Sequence, residues 1–303
     1  APIIFTSVAD NITSEQIAGG DFISPNLDES INGLWGGVLV LGYGVISASA
    51  DEVQIEGIPS TDPNGLYGGM DDADDSGIIS YVSIRHGGTN IGAGNEINGL
   101  TLGGVGSTTQ ISNVEIVANQ DDGIEWFGGS VGITNALVWN VGDDAIDTDQ
   151  AWNGVLDDFI VVTPVGSCFE LDGPEGDDDG YFMGTRDPKN HNLKNGSVYA
   201  GDSPSAADFD PDTNVDMEAV YFFGFTDDEN AQAVQEFAAM QYGTMTNIEI
   251  TPGAGFTAAE ILVDLPAGNY TEVAENANTV GSAADYTWTW ASKSGSLAGI
   301  GLE

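Results

Sequence analysis

The sequence predicts an all-β fold, a single-stranded right-handed parallel β-helix: a solenoid with long acidic loops and one short inserted helix. Three observations predict it. The segment ISNVEIVANQDDGIEWFGGSVG is followed at once by ITNALVWNVGDDAIDTDQAWNG, so Ile111 answers Ile133, Asn113 answers Asn135, and Asp121-Asp122 answers Asp143-Asp144, each 22 positions on. A period of this length built from strand-forming residues marks coils stacked on coils. Next, apolar residues recur at two strand positions. The first holds Ile79, Ile111, Ile133, Val155, Leu193, Met217 and Met245; the sixth holds Ile84, Ile116, Val138, Ile160, Val198, Phe222 and Ile250. The third position is Asn113, Asn135, Asn195 and Asn247 in four of these rungs, which reads as a stacked amide ladder. Finally, a second strand follows a bend. Ile124, Ile146 and Phe169 point inward there, and Glu125, Asp147 and Glu170 lie on the other face, because strand side chains alternate. Thr101 takes the same place one rung earlier and Asp210 one rung later.

In chain order, Ala1 to Ser7 reads as a strand and Val8 to Gly33 as a long polar loop. Leu34 to Ser47 alternates apolar residues with glycines at the bends, VQIEGIP continues that rung, and Asp62 to Gly77 is turn chemistry loaded with acid. Two insertions separate later rungs, Gly173 to Asn192 and Thr226 to Met240. The second reads as a short helix. Thr226 or Asp227 would cap it, acids fill its first turn, and Ala231, Val234, Phe237 and Met240 share a face. Beyond Thr251 the periodicity fades, and ADYTWTWASKSG reads as an alternating strand closing the C-terminal end. The expectation is one β-helix domain over 1–303. Because the chain begins directly on a strand and solenoid ends need polar caps, it is expected to be a piece of a longer precursor, without its N-terminal rungs or cap.

The chain has 48 Asp and Glu against five Lys and Arg, a formal charge of −43, with 41% hydrophobic residues. The apolar content suffices for a continuous core, so the acidity belongs to the surface. A field of this sign repels nucleic acid phosphates and anionic lipid, which excludes both as partners. It calls for cations: bound calcium, external salt, or both. No run of 18 apolar residues occurs, so no spanning helix is expected. The lone Cys168 permits no internal disulfide and reads as a small buried hydrophobe.

WGGVLVLG, IEGIP, YGG with its Asp-rich turn, ISYVSIRHGG, GNEINGLTLGGVG, DDGIEWFGG and the closing YTWTWAS occur in this order from about Pro2 to Ala291. Together they resemble a family of secreted, right-handed parallel β-helix proteins common in Bacteroidetes. The resemblance implies an extracellular or cell-surface protein. It assigns no catalytic residues.

Chemistry is expected where acids stack. Equivalent residues of successive rungs sit about 4.8 Å apart, which places Glu125, Asp147 and Glu170 in one ladder of carboxylates and Asp121-Asp122 and Asp143-Asp144 in another. Like charges that close need a raised pKa, a bound cation, or separation into solvent. The raised-pKa outcome gives a glycan-active enzyme, a polygalacturonase-like hydrolase with Asp121, Asp122, Glu125, Asp143, Asp144 and Asp147 as candidate acids. GDDAID suits it, but the chain lacks a Gly-His-Gly segment. Its only histidines are His86 and His191, and its bases Arg85, Arg186, Lys189, Lys194 and Lys293 are scattered. For Arg85-His86 the expected role is to neutralise neighbouring acids.

The cation outcome is favoured by DFDPDTNVD, which sets Asp208, Asp210, Asp212, Asn214 and Asp216 on alternate positions, as calcium loops do, although Pro211 and Thr213 depart from the EF-hand pattern. Asp71, Asp72, Asp74 and Asp75, and Asp172, Glu175, Asp177, Asp178 and Asp179, are weaker groups. Trp126, Trp139 and Trp152 lie beside the acids and could form a sugar-stacking platform; packing between rungs is the favoured reading. The expected function is a non-catalytic extracellular structural or adhesion protein that binds calcium. Its expected partners are copies of itself, stacked end to end, or a surface polysaccharide.

Overall fold

The structure is a computed structural model and describes residues 1–92, 97–174, 191–210, 213–226, 234–235, 242–263, 265–281 and 283–302. Seven rungs each give one strand to each of two parallel sheets, and the C-terminal rungs add strands to the first alone among the described residues. The ten-stranded sheet runs in the order Ile3–Phe5, Ile78–Arg85, Gln110–Val117, Ile133–Trp139, Val155–Val162, His191–Gly201, Asn214–Phe225, Ile248–Ile250 and Tyr270–Glu272, with Tyr242–Thr246 also pairing Asn214–Phe225. The seven-stranded sheet stacks Val38–Leu41, Leu100–Gly103, Ile124–Phe127, Ile146–Asp149, Phe169–Leu171, Ala207–Phe209 and Val234–Gln235. This is the predicted all-β parallel solenoid. Between the sheets runs one apolar core, from Val82 and Leu100 through Ile116, Val138 and Phe169 to Phe222 and Ile250.

The predicted register holds in six of seven rungs and slips by one in the other. Leu156, not Val155, pairs Ile133 and Leu193, and Val161, not Ile160, pairs Val138 and Val198. Ile124 still pairs Ile146, 22 residues on, while Ile133 pairs Leu156, 23 on, so the extra residue lies between Ile146 and Leu156. Gln150 (φ 46°) and Ala151 (φ 57°) both adopt the left-handed conformation there and absorb it in the corner. Periodicity could not expose the slip, because Val155 and Ile160 are themselves apolar.

The asparagine column has a backbone cause. Tyr81, Asn113, Asn135, Asp158, Asn195, Ala219 and Asn247 all have φ between 53° and 61°, and each falls in a gap of the ladder pairing. Asn tolerates this region better than other non-glycine residues. The amides stack at one step, Asn135 Nδ2 donating to Asn113 Oδ1 at 3.1 Å, whereas Asn195 Nδ2 donates to Asp157 Oδ1 at 2.7 Å.

Four predicted elements differ. The loop read over Val8 to Gly33 contains the helix Ser14–Ala18, whose Thr13 cap accepts from Gln16 N–H, and VQIEGIP does not continue the rung: Val53–Gln54 pairs Leu66–Tyr67 antiparallel in a separate two-stranded sheet. Of the segment read as a helix over Thr226 to Met240, Val234–Gln235 forms a strand on Ala207–Asp208 and extends the second sheet; residues 227–233 and 236–240 lie outside the described residues. The closing ADYTWTWASKSG holds a 3-10 turn at Ala284–Tyr286 and an α-helix at Trp290–Lys293, and a second α-helix follows it at Ser296–Gly299. Tyr286 and Trp290 are four apart, a spacing that fits one face of a helix as well as an alternating strand. Thr289 Oγ1 decides locally for helix by accepting from Ser292 N–H at 3.1 Å. The segment does not close the end of the solenoid. It packs Tyr286, Trp290 and Leu297 on the outer face of the first sheet, against Val117, Leu137, Trp139 and Ile160.

The C-terminal end of the core is covered instead by the helix Ala258–Ile261, with Ala258, Ile261, Leu262 and Leu265 all buried in the core cluster. At the N-terminal end Ile3–Phe5 covers only Val82–Ile84, leaving Ile3, Phe5 and Ile78 exposed.

Candidate functional site: stacked carboxylates on the second sheet

Sheet register fixes which acids stack. Along the outward column of the second sheet, Leu39, Thr101, Glu125, Asp147, Glu170 and Asp208 are successive partners, and the backbone of Gln235 pairs Asp208 in turn. Asp208 therefore continues the ladder rather than the predicted Asp210. Phe209 fills the core between them, which turns Asp208 outward, and Asp210 lies exposed past the strand end.

A second column lies at the corner, two residues before each inward residue of the strand. There Asp122 Oδ1 accepts the Asp144 N–H at 3.0 Å, and Asp144 Oδ1 accepts the Ser167 N–H. The second member of each duplicated Asp-Asp pair thus staples its own rung to the next. Asp122 and Asp144 are buried, Asp121 is half-buried and Asp143 is exposed. Carboxylate oxygens of Asp121, Asp122 and Asp143 lie within 4.8 Å of one another, as do those of Asp122, Glu125 and Asp147. The predicted acids therefore do converge, with Asp122 shared by both groups.

Burial raises the Asp122, Glu125 and Asp147 carboxyls well above the usual range, and each neighbour's negative charge adds to it: Asp121 on Asp122, Asp122 on Glu125, Glu125 on Asp147. Half-buried Glu170 is pushed up to about 8, first by the hydrogen bond it shares with the Asp144 carboxyl and then by burial. One contact absent from the sequence reading is Asn98, whose Nδ2 donates to Glu125 Oε2. A signal for it existed. Asn98 precedes Leu100 by two residues, as Asp122 precedes Ile124, and those strand residues are partners.

The other candidates are dispersed. Of the alternate residues in DFDPDTNVD, Asp208 stands on the second sheet and Asp216 on the first, where it accepts from Thr244 Oγ1 at 2.7 Å. Asp212 and the Asn214 side chain lie outside the described residues, as do Glu175 and Asp177 to Asp179, Arg186 and Lys189. In the Asp71 to Asp75 turn the carboxylates accept from nearby groups, Asp71 from Ala73 N–H at 3.0 Å and Asp75 from Gly77 N–H at 2.9 Å. The tryptophans form no platform: Trp126 and Trp152 stack in the interior at 4.5 Å, and Trp139 lies under Trp290. His191 is buried beside Trp152, and burial pulls its imidazole down to about 3. Burial also pushes the Cys168 thiol up to about 12, so it is an inert core residue.

On the first sheet, Arg85 does neutralise an acid, Glu115, at 3.5 Å with both side chains fully buried. Arg85 also donates through Nη1 to Phe22 O at 2.7 Å and through Nε to Ser83 Oγ at 2.7 Å, and it lies 4.9 Å from the Trp290 ring centroid. Glu115 accepts the Ala291 N–H at 3.0 Å.

Rungs stacked into two parallel sheets around one apolar core define a parallel β-helix. The family model for the pectate-lyase-like β-helix domain matches residues 22–292, and the chain belongs to that family. The family includes both enzymes and non-catalytic proteins, and its domains are typically extracellular. No curated protein and no solved structure matches the chain. Among the described residues, no helix is long and apolar enough to cross a membrane.

Proposed function

We propose that the chain is a non-catalytic extracellular β-helix, a surface or adhesion protein whose acidic exterior is held together by calcium. The observation that carries this reading is what the ladder acids do. Asp122 and Asp144 hold the next rung's backbone, and Glu125 is buried against Asn98. A general acid and its partner must reach a substrate. Three cavities, of about 740, 440 and 370 Å³, are lined by other residues: Asn278, Thr287 and Lys293 in the first, Ser112, Thr134 and Asp157 in the second, Ile3, Phe5 and Ile78 in the third. The extracellular setting is supported by the habit of the family and by the motifs shared with secreted β-helix proteins.

A glycan-active enzyme is the second reading, favoured by one observation. Glu170 is half-buried, raised to about 8 and next in register to Asp147, so a carboxyl that can hold and donate a proton stands one rung from a second acid. Thermal unfolding in calcium and then in chelator tests the first reading, and an unchanged midpoint would overturn it. Replacing Asp143, Asp144 and Asp147 together with Asn tests the second, which requires loss of a measurable activity on acidic polysaccharide.

A further inference from the structure

We propose that His86, acting with Ser24 and Asp10, is a proton-sensitive latch that fastens residues 8–33 to the end of the strand Ile78–Arg85 and lets them go in mild acid. Of the residues in this arm only Asp10, Phe22 and Ser24 are buried. Apolar burial, which holds the rungs, therefore contributes little to holding the arm. Its attachment is polar instead. At its end Gly33 N–H donates to Gly87 O at 2.7 Å. Before that, Arg85 Nη1 donates to Phe22 O, Asn140 Nδ2 to Glu29 O at 3.5 Å, and His86 Nδ1 to Ile31 O at 2.5 Å. The other ring nitrogen, Nε2, lies 3.4 Å from Ser24 Oγ, which donates to Asp10 Oδ1. Thr6 Oγ1 donates to the remaining Asp10 oxygen at 3.0 Å. One imidazole thus meets the arm at both Ser24 and Ile31 and, through Ser24, reaches its buried acid.

A carbonyl only accepts, so Nδ1 carries the ring hydrogen and Nε2 is the atom that titrates. In the neutral ring, Nε2 and Asp10 share the Ser24 hydroxyl hydrogen. A proton arriving at Nε2 places a cation in a fully buried ring. The charged groups facing it are Asp10 and Asp28 from the arm and Arg85 from its own strand, whose charge Glu115 of the next strand balances. The C-terminal helix offers the Trp290 ring at 5.5 Å and, over Phe22 at 5.8 Å, Lys293. Burial draws the imidazole below its ordinary 6.5, with the Ile31 carbonyl and then Asp10 opposing and Arg85 adding. A detached arm leaves His86 in water with its ordinary affinity for a proton, so acid favours detachment. Attachment is complete above 6.5 and is lost as the pH falls through 6.5 toward the lowered value.

Hydrogen exchange of the whole chain, followed by mass spectrometry from about pH 7.5 to 5 across the imidazole range and corrected for the intrinsic rate, tests the latch. The strand Gln110–Val117 in the same sample is the reference, because Glu170, raised to about 8, makes the solenoid gain stability as the pH falls. Protection of residues 8–33 relative to that strand should fall about tenfold in acid, and His86→Gln should remove the dependence. Protection that stays flat or rises in acid, or an equal fall in His86→Gln, overturns the latch. Circular dichroism checks that His86→Gln is folded. Should it fail to fold, the wild type decides through its ring signals in NMR. The chain has two histidines, and His191, lowered to about 3, stays neutral over this range. Titration of His86 together with the loss of protection bears the latch out; loss of protection without that titration overturns it.

Discussion

The two sheets bury charge in opposite ways. On the outer face of the first, Arg85 meets Glu115, and the remaining valences go to Phe22 O, Ser83 and the Ala291 N–H. On the second, Asp122, Glu125 and Asp147 meet chiefly one another. The first cluster is complete within the protein, and the second has too little positive charge of its own. Burial is tolerable where the chain itself provides the counter-charge, and elsewhere the compensation must come from protons or ions.

The largest expected effect breaks the complete cluster. Arg85→Met leaves Glu115 buried and unpaired and should cost about 3 to 5 kcal/mol, measured by denaturant unfolding. Adding Glu115→Leu should recover most of that loss, and failure to recover would mean the pair stabilises in its own right. Calcium withdrawal is the matching test on the second sheet. At a hundredfold excess over its dissociation constant a bound ion contributes about 2.7 kcal/mol, so chelation should lower the midpoint and should do so less in Asp147→Asn. Next comes pH without calcium. The Glu170 carboxyl lies near 8 in the fold against 4.5 for the free side chain, so the folded state holds the extra proton between those values. Stability should therefore fall as pH rises from about 4.5 to 8, and Glu170→Gln should flatten that slope in a series of melting curves. The smallest effect concerns the neutral column. Asn113→Gly should change stability by a few tenths of a kcal/mol and Asn113→Ala should cost about 1, because φ is 56° there. Equal losses would mean that the amide contact, not the backbone, sets the residue.

The rungs were legible because inward positions are apolar every time, and the carboxylate ladder was legible because its acids share those strands. Leu156 was misplaced by one because its apolar neighbours blur the period. Asp208 and Asp210 alternate equally well with Phe209, so the sequence does not show that the strand Ala207–Phe209 ends before Asp210. The closing segment carries a spacing that suits helix and strand alike. The role of Arg85 as a neutralising base was legible, but its partners were not: Glu115 is 30 residues from Arg85, and Ala291 is 176 from Glu115. Asn98 carries its signal in the corner column, two residues before Leu100 as Asp122 is before Ile124.

The cluster around Arg85 has a mechanical consequence. Through one ion pair, the carbonyl of Phe22 and the amide of Ala291 are fastened to adjacent rungs. Tension applied between these two segments would load the buried pair before it reached the rungs that follow. A plain solenoid pulled lengthwise peels coil by coil at low force. This one should resist and then give way at once, behaving less like an unwinding spring than like a buckled strap.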